Sequence, residues 1–457
     1  VSRAVAAIEK GDARQLALML PPDEVAGFDD LQKQFDRISS ALGEGADLTG
    51  LNAGDTVHVS VDNLRLSTHT EQPGLAKVGI ENADITASFD TSKMSDSVKK
   101  EFRKDGLPET TTVTVRGATV TTDGDEQTVR VGGRPQPPFV MTVERDGSWY
   151  VSPFFTAFQY NSENDGFRTS PTRSAPGFGS PVAAAEGYLF ALATMLRTGD
   201  VSALAEASGG FEGRLFQTYR EYFNSGLTGS GDSPFDSVEV TESSFTLLSV
   251  DGSTARVRPD RVLVTATVKG ETGRFELSDG CLTVDAPSGN DRYCLSDPEN
   301  SLFKPLVDRL SYLVAVRADG GWKVSATRTF VSWLTDVLSW VGDAELPILK
   351  ALLRGDPAEF VQSAKVAASV DADGTATVSI APVGPYLDGG YAVVDIVNPD
   401  GDDFEVSCRA RGRHCDVLTI ISPSGESQSY IAGGEPGTYK AVVFAPTGDV
   451  NISVESY

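Results

Sequence analysis

Histidine and cysteine are rare in this sequence, with three and four copies among 457 residues. No Cys-x-x-Cys occurs, so a zinc site fits the sequence poorly. Gly-x-Ser-x-Gly, Walker-type, Gly-x-Gly-x-x-Gly and His-Glu-x-x-His motifs are absent as well. These are the sequence signals of common hydrolases, nucleotide-binding proteins and zinc enzymes. We therefore expect no metal, no cofactor and no catalytic residue.

Basic residues are scarce relative to acidic ones, because 39 Lys and Arg face 64 Asp and Glu, for a net charge of −25. Such a surface repels nucleic-acid phosphates and anionic lipids, although solubility alone also explains it. The apolar runs are far shorter than the ~20 residues of a membrane helix. Membrane association is expected only through an anchor upstream of Val1, where the chain opens in a helical pattern.

The few cysteines fall into two close pairs, Cys281 with Cys294 and Cys408 with Cys415. Each pair brackets a loop between predicted strands. Two local disulfides in an extracytoplasmic protein are expected, and four buried thiols in a cytosolic protein are the alternative. Four cysteines allow three pairings, of which sequence proximity favours the local one.

A ten-residue stretch occurs twice, at 143–152 and 316–325, with identity at six positions that include Asp-Gly, Trp and Val-Ser. An Asp-Gly between two apolar runs is typical of a β-hairpin, since glycine tolerates the positive φ of such turns. Trp149 and Trp322 are predicted to be core anchors of the two copies. Independent convergence on an Asp-Gly turn followed by Trp is the alternative to duplication.

Each hairpin copy lies downstream of a helical segment that is broken at Gly11-Asp12 or at Gly199-Asp200. A third amphipathic helix and a run of alternating strands follow each break. Helices followed by a curved antiparallel sheet predict an α+β fold, present twice. The predicted boundaries are 1–160 for the first domain, 161–180 for a linker and 181–341 for the second domain.

The remaining chain divides into a helical connector at 342–365 and a β-rich domain at 366–457. Helical periodicity vanishes in this last part, and short β runs alternate with Asp-Gly, Pro-Asp-Gly and Pro-Gly turns. Strands at this spacing predict an all-β sandwich.

The two copies resemble the NTF2-like superfamily, especially extracytoplasmic members from actinobacterial envelope proteins. The Gly-Asp helix breaks and the Asp-Gly-x-Trp-x-Val-Ser hairpins at 146–152 and 319–325 carry this resemblance. It implies cone-shaped domains whose relatives include isomerases and dehydratases. Residues 366–457 resemble the bacterial pre-peptidase C-terminal β-sandwich through 416–425 and 434–440, which implies a secreted accessory domain.

The candidates for chemistry are few. His58 and His69 lie on predicted strands of the first copy, where packing is the commoner role, and the second copy has no histidine. Aspartate clusters at 371–373 and 400–403 suggest calcium, but they lack the spacing of an EF-hand loop, and Asp-Gly turns explain them.

One local feature opposes the global charge. The loop between Cys408 and Cys415 contains Arg409, Arg411, Arg413 and His414. The guanidinium group of arginine can donate two parallel hydrogen bonds to a carboxylate or a phosphate, so this loop is a candidate partner-binding site. A solvated hairpin tip whose charges discourage edge pairing is the alternative.

These patterns favour the extracytoplasmic, non-enzymatic binding or scaffold portion of a membrane- or lipid-anchored bacterial envelope protein. Its expected partners are an envelope protein or an anionic cell-wall polymer, with no nucleic acid. A carrier or sensor of a small apolar ligand is the first alternative, and an isomerase or dehydratase is the second. An open apolar cone would favour the carrier, and convergent polar groups in a pocket would favour the enzyme.

Overall fold

The fold is described from a computed structural model, which combines helices and antiparallel sheets and confirms the predicted α+β class. The predicted connector at 342–365 lies outside the described residues. Those residues are 1–42, 57–90, 110–228, 235–278, 280–287, 289–294, 311–339, 366–380, 389–410, 415–424, 426–428, 431–446 and 448–457.

The first unit runs from the N-terminus to the end of the helix that follows the first hairpin. Its described helices are α1 (Ser2–Glu9), α2 (Ala13–Ala17), α3 (Phe28–Leu42) and α4 (Pro153–Asn164). Its described strands are β1 (Val57–Gln72), β2 (Leu75–Phe89), β3 (Thr110–Arg116), β4 (Thr119–Thr122), β5 (Asp125–Thr128), β6 (Arg130–Val131), β7 (Arg134–Pro135), β8 (Phe139–Arg145) and β9 (Ser148–Ser152).

The second unit repeats this order of helices, strands and a final helix. Its described helices are α5 (Pro181–Thr198), α6 (Ser202–Ala207), α7 (Gly210–Thr218), α8 (Arg220–Thr228) and α9 (Ala326–Ser339). Its described strands are β10 (Ser237–Asp251), β11 (Thr254–Val268), β12 (Glu271–Ser278), β13 (Cys281–Ala286), β14 (Gly289–Cys294), β15 (Leu313–Ala318) and β16 (Gly321–Val324).

The third unit consists of strands in its described part. They are β17 (Val366–Asp371), β18 (Thr375–Ile380), β19 (Gly389–Asn398), β20 (Phe404–Arg409), β21 (Asp416–Ile421), β22 (Ser427–Gln428), β23 (Ile431–Ala432), β24 (Gly437–Pro446) and β25 (Gly448–Ser456). One sheet has the order β17-β19-β24-β21-β22, and the other has the order β18-β25-β20-β23. Residues of both sheets contribute to one buried apolar core, so the two layers face each other.

The sheets of the first two units have the same strand order. The first is β5-β4-β3-β2-β8-β9 with β1 also paired to β2, and the second is β14-β13-β12-β11-β15-β16 with β10 also paired to β11. Both predicted hairpins are confirmed, and their turn aspartates Asp146 and Asp319 have φ values of 50° and 51°. One long strand in each unit therefore organises the sheet, and the repeated hairpin forms its edge.

The predicted helix breaks at Gly-Asp are present in both units. Gly11 and Gly199 adopt positive φ values of 61° and 67°, which a side chain would strain. The Asp12 carboxylate then accepts a hydrogen bond of 2.9 Å from the Gln15 backbone N–H. This contact caps the start of α2.

Helices of each unit pack on the other unit. Helices α7 and α8 of the second unit cover the first sheet, where the Tyr219 ring lies 5.9 Å from that of Phe155. In return, α3 of the first unit packs on α9, and Arg37 donates a 2.8 Å hydrogen bond to the Leu338 carbonyl. Each unit thus contributes helices that pack on the other unit, and the two units do not form independent domains.

The two repeated tryptophans differ in burial. Trp322 is 6% exposed, whereas Trp149 is 50% exposed, so the predicted core position of Trp149 is wrong. Phe178 explains the difference, because it exchanges backbone hydrogen bonds of 2.9 and 2.8 Å with Trp322 and covers this edge. Among the described residues, no segment covers Trp149 in this way. The predicted linker thus packs on the second sheet, and α4 extends into it as far as Asn164.

Tyr219 tests the shared interior of the first two units. Its hydroxyl donates to the Phe155 carbonyl at 3.0 Å and lies 2.9 Å from Gln159 Oε1. We expect Tyr219→Phe to lower the free energy of unfolding by about 1–3 kcal/mol, because both buried acceptors lose their partner. Urea denaturation followed by circular dichroism measures this, with the exposed Tyr293→Phe as control. An unchanged midpoint for Tyr219→Phe would contradict the proposed coupling.

Candidate binding cleft between the first two units

A cleft of about 650 Å³ lies where the first unit, the segment at 172–174 and the second unit meet. Six cationic side chains line it against three carboxylates, in a chain whose net charge is −25. The cations are Arg145, Arg173, Arg214, Arg317, Lys323 and Arg328, and the carboxylates are Asp23, Asp146 and Asp319. The cleft therefore concentrates positive charge where the overall composition predicts the opposite sign.

Two glycines bring the start of α7 to the wall of the cleft. A Cβ on Gly213 would lie 2.5 Å from the Ser208 carbonyl oxygen, so only glycine allows this close approach of α7 to the end of α6. Gly209 donates a backbone hydrogen bond of 2.7 Å to the Val324 carbonyl on β16. As a result, Arg214 on α7 and Lys323 on β16 line the same cleft.

Two of the cations are held by carboxylates within the cleft. Arg145 donates to Asp23 at 3.0 Å, and Lys323 donates to Asp319 at 2.8 Å. Lys323 is only 3% exposed, so its charge needs this partner. No described carboxylate forms an ion pair with the four remaining cations, which are Arg173, Arg214, Arg317 and Arg328.

Arg214 is the most constrained of these four. One of its terminal nitrogens donates to the Pro73 carbonyl of the first unit at 3.1 Å. Its buried Nε has no hydrogen-bond partner among the described residues. Burial, and secondly the nearby charge of Arg145, lowers the pKa of the Arg214 guanidinium from its ordinary value. A negative charge in the cleft would oppose both effects.

Arg317 and Arg328 are oriented by neutral groups. The Arg317 guanidinium lies 5.1 Å from the centroid of the Trp322 ring, in a cation–π arrangement. Arg328 donates to the Thr254 hydroxyl at 3.1 Å. Each guanidinium has five N–H donors, so these contacts position the groups without using their capacity for an anion.

A buried carboxyl group lies next to the cleft in each unit. Glu24 and Glu212 are 3% and 5% exposed. Glu24 directly follows Asp23, and Glu212 directly precedes Gly213, both of which line the cleft. The hydroxyl of Ser152 donates to Glu24, and that of Ser325 donates to Glu212 at 2.9 Å. The same two serines cap α4 and α9 through backbone N–H groups at 3.0 and 3.2 Å.

Burial raises the pKa of both carboxyl groups. It raises the pKa of Glu24 to about 7; the hydrogen bond from the Ser152 hydroxyl opposes this shift, and the neighbouring Asp23 charge adds to it. Burial also raises the pKa of Glu212. In each glutamate, Oε2 is buried without a hydrogen-bond partner in the described part of the chain, which favours the neutral acid.

These glutamate–serine pairs were missed from the sequence, although a signal exists. Each glutamate follows the aspartate of the Gly-Asp break by twelve residues. Each serine ends the repeated Val-Ser, and a threonine four residues later hydrogen-bonds the serine carbonyl in both units. Aligning the full length of the two copies, rather than the hairpins alone, would have revealed them.

A second set of contacts is also common to both units. A cation on the long strand pairs with an acid on the helix after the hairpin and stacks on an aromatic ring at, or one residue before, the start of the first hairpin strand. An aromatic side chain of that helix contacts the same ring. The first unit uses Lys77, Glu163, Phe139 and Tyr160, and the second uses Arg256, Asp336, Tyr312 and Trp333.

The cationic loop predicted from the sequence is only partly described. Arg409 ends β20 and lines a cavity of about 600 Å³ beside Cys408 on the third unit. Arg411, Arg413 and His414 lie outside the described residues. Arg409 does not line the cleft between the first two units.

The cysteines form the two expected local disulfides. Cys281 and Cys294 pair directly across β13 and β14, and their Cα atoms are 4.0 Å apart. Cys408 joins Cys415, with a Cα separation of 5.6 Å. Each bridge closes a local chain segment, in keeping with an extracytoplasmic protein.

The predicted histidine and aspartate candidates do not converge. His58 and His69 are exposed on β1, and neither lines the cleft. Asp373 accepts hydrogen bonds of 2.6 Å from the backbone N–H and the hydroxyl of Ser456, so it closes a turn against β25. In the described part of the chain, no three acidic, histidine or cysteine side chains cluster as metal ligands would.

Comparison with known proteins provides no relative: no family model, no curated protein and no solved structure matches the chain. Among the described helices, none is long and apolar enough to cross a membrane. The function must therefore be argued from the side chains themselves.

Glu24→Gln tests the buried carboxyl group. The folded chain retains a proton on Glu24 up to about pH 7, whereas the unfolded chain releases it near 4.5. This contribution to stability is therefore full below pH 4.5 and is lost as pH rises to about 7. We expect wild type to lose up to about 3 kcal/mol of stability relative to Glu24→Gln across this window.

Urea denaturation at several pH values between 4.5 and 8 measures this difference. The exposed Glu126→Gln on β5 is the matched control, and it should follow wild type. Parallel stability curves for wild type and Glu24→Gln would show that Glu24 is ionised throughout.

Proposed function

We propose that this chain is the extracytoplasmic, non-enzymatic binding or scaffold portion of a membrane- or lipid-anchored bacterial envelope protein. In this proposal, two NTF2-like units and a β-sandwich follow one another along the chain. One observation carries the proposal: the apolar face of the first sheet is filled by helices of the second unit. The concave surface left between these units is polar and charged.

The filled interior argues against the carrier alternative. A carrier needs an open apolar cone, whereas the described core of the first unit packs the rings of Phe155 and Phe158 against Tyr219. It also argues against an isomerase or dehydratase, because Glu24 and Glu212 are held by serine hydroxyls inside the protein. A general base needs access to the proton it removes.

The shared contacts support the part of this proposal that the first two units are copies of one fold. Strand order, the hairpin turns, the serine caps and the cation–acid pairs occur in both. The two facing sheets of the third unit support a β-sandwich. The disulfides support a compartment outside the cytoplasm, where such bonds persist.

Thiol counting tests the compartment. We expect no free thiol when the chain is taken from its native cells, denatured without reductant and reacted with a thiol reagent. After reduction, four thiols should react, which provides the internal control. Four reactive thiols without reduction would place the chain in a reducing compartment and reject the proposal.

Partner capture tests the binding role and the cationic loop together. We expect the chain to retain a specific partner from an envelope extract, and a variant with Arg409, Arg411 and Arg413 changed to Ser to lose it. A control variant in which Arg197, Arg258 and Arg274 are changed to Ser has the same net charge as the loop variant and should retain the partner. Equal capture by both variants would reject the loop, and an apolar molecule co-purifying in native mass spectrometry would favour the carrier instead.

A further inference from the structure

We propose that the cleft between the first two units binds a small, multiply charged oxyanion through Arg173, Arg214, Arg317 and Arg328. The ligand would carry two or more phosphate or carboxylate groups. This inference rests on the proposed binding role but gives it a separate site, since the predicted loop at Arg409 lies on another unit.

The charge of the cleft is the first argument. Six cations and three carboxylates leave an excess of three positive charges, on a chain in which acids outnumber bases by 25. Like charges gathered in one concavity repel each other, and this repulsion is relieved when an anion enters. The contrast between the cleft and the rest of the molecule is therefore evidence for a ligand rather than for solubility.

The orientation of the arginines is the second argument. Arg214 is anchored by the Pro73 carbonyl, Arg328 by the Thr254 hydroxyl, and Arg317 by the Trp322 ring. Fixing these long side chains in advance lowers the entropy that a ligand must offset. Guanidinium forks match the paired oxygens of phosphate and carboxylate, which explains why arginine outnumbers lysine here.

The dimensions of the cleft limit the ligand. A volume of about 650 Å³ lies in the range of small-molecule sites and is too small for a folded domain. The excess of three positive charges suits an anion with two to four negative charges. Tripolyphosphate and citrate represent the phosphate and carboxylate classes at this size.

Isothermal titration calorimetry with these two anions, at constant ionic strength, tests the proposal on the full chain. We expect at least one of them to bind wild type with one site, and Arg173→Gln/Arg317→Gln to weaken binding at least about tenfold. Both residues are exposed, so the fold should survive, which circular dichroism verifies. Comparing the two anions shows whether phosphate or carboxylate is preferred.

The control variant is Arg197→Gln/Arg258→Gln, which removes the same charge outside the cleft. It should bind the anion within about twofold of wild type, because screened charges at a distance act weakly. Equal losses in both double variants would show non-specific attraction and overturn the proposal. Absence of binding by wild type at millimolar anion would overturn it as well.

Arg214→Lys separates charge from geometry. The substitution keeps the positive charge but removes the planar guanidinium that donates paired hydrogen bonds. We therefore expect the anion to bind more weakly than to wild type, with the same dependence of affinity on salt concentration. Because Trp322 contacts Arg317, the tryptophan emission should change on titration of wild type but not of Trp322→Phe, which would assign the change to this cleft. Failure of these titrations leaves partner capture from envelope extract unaffected, so the two proposals fail separately.

Discussion

The exchange of helices between the first two units is the constraint on which the rest depends. Tyr219 is fully buried among residues of the first unit, and its hydroxyl satisfies acceptors on α4. Removing α7 and α8 would expose the apolar face of the first sheet, at a cost of about 25 cal/mol per Å². The two units therefore hold a fixed relation, and the surface between them has a defined shape. This fixed arrangement of the two units is a condition for a preorganised cleft.

The two buried glutamates affect the charge at the boundary between the first two units. In each unit a serine hydroxyl caps the helix after the hairpin and also donates to a buried glutamate, which is Glu24 in the first unit and Glu212 in the second. A neutral carboxyl group fits this position better than an ion, since Oε2 has no described partner in either unit. Burial raises the pKa of both carboxyl groups, which lowers the negative charge that forms behind the cationic wall. The cleft thereby retains an excess of positive charge that ionised Glu24 and Glu212 would reduce.

Sequence reasoning succeeded where the determining interaction is local. The hairpins depend on Asp-Gly turns, the helix breaks on Gly11 and Gly199, and each disulfide on cysteines close in sequence. It failed where a distant segment decides the environment. Trp149 and Trp322 occupy the same place in the same motif, yet only Trp322 is covered, because Phe178 happens to pair with it. The contact of Arg214 with Pro73 spans 141 residues and follows only from the exchange of helices.

A positive cleft in an acidic protein also has a selective consequence. At physiological ionic strength the screening length is about 8 Å, so a small anion inside the cleft experiences mainly the guanidiniums that surround it. A long polyanion would extend beyond the cleft and meet the acidic surface, where the net charge of −25 repels it. The acidic composition thus favours small ligands in the proposed cleft over long polyanions. The local excess of arginine determines what binds, and the global excess of acid determines how large it can be.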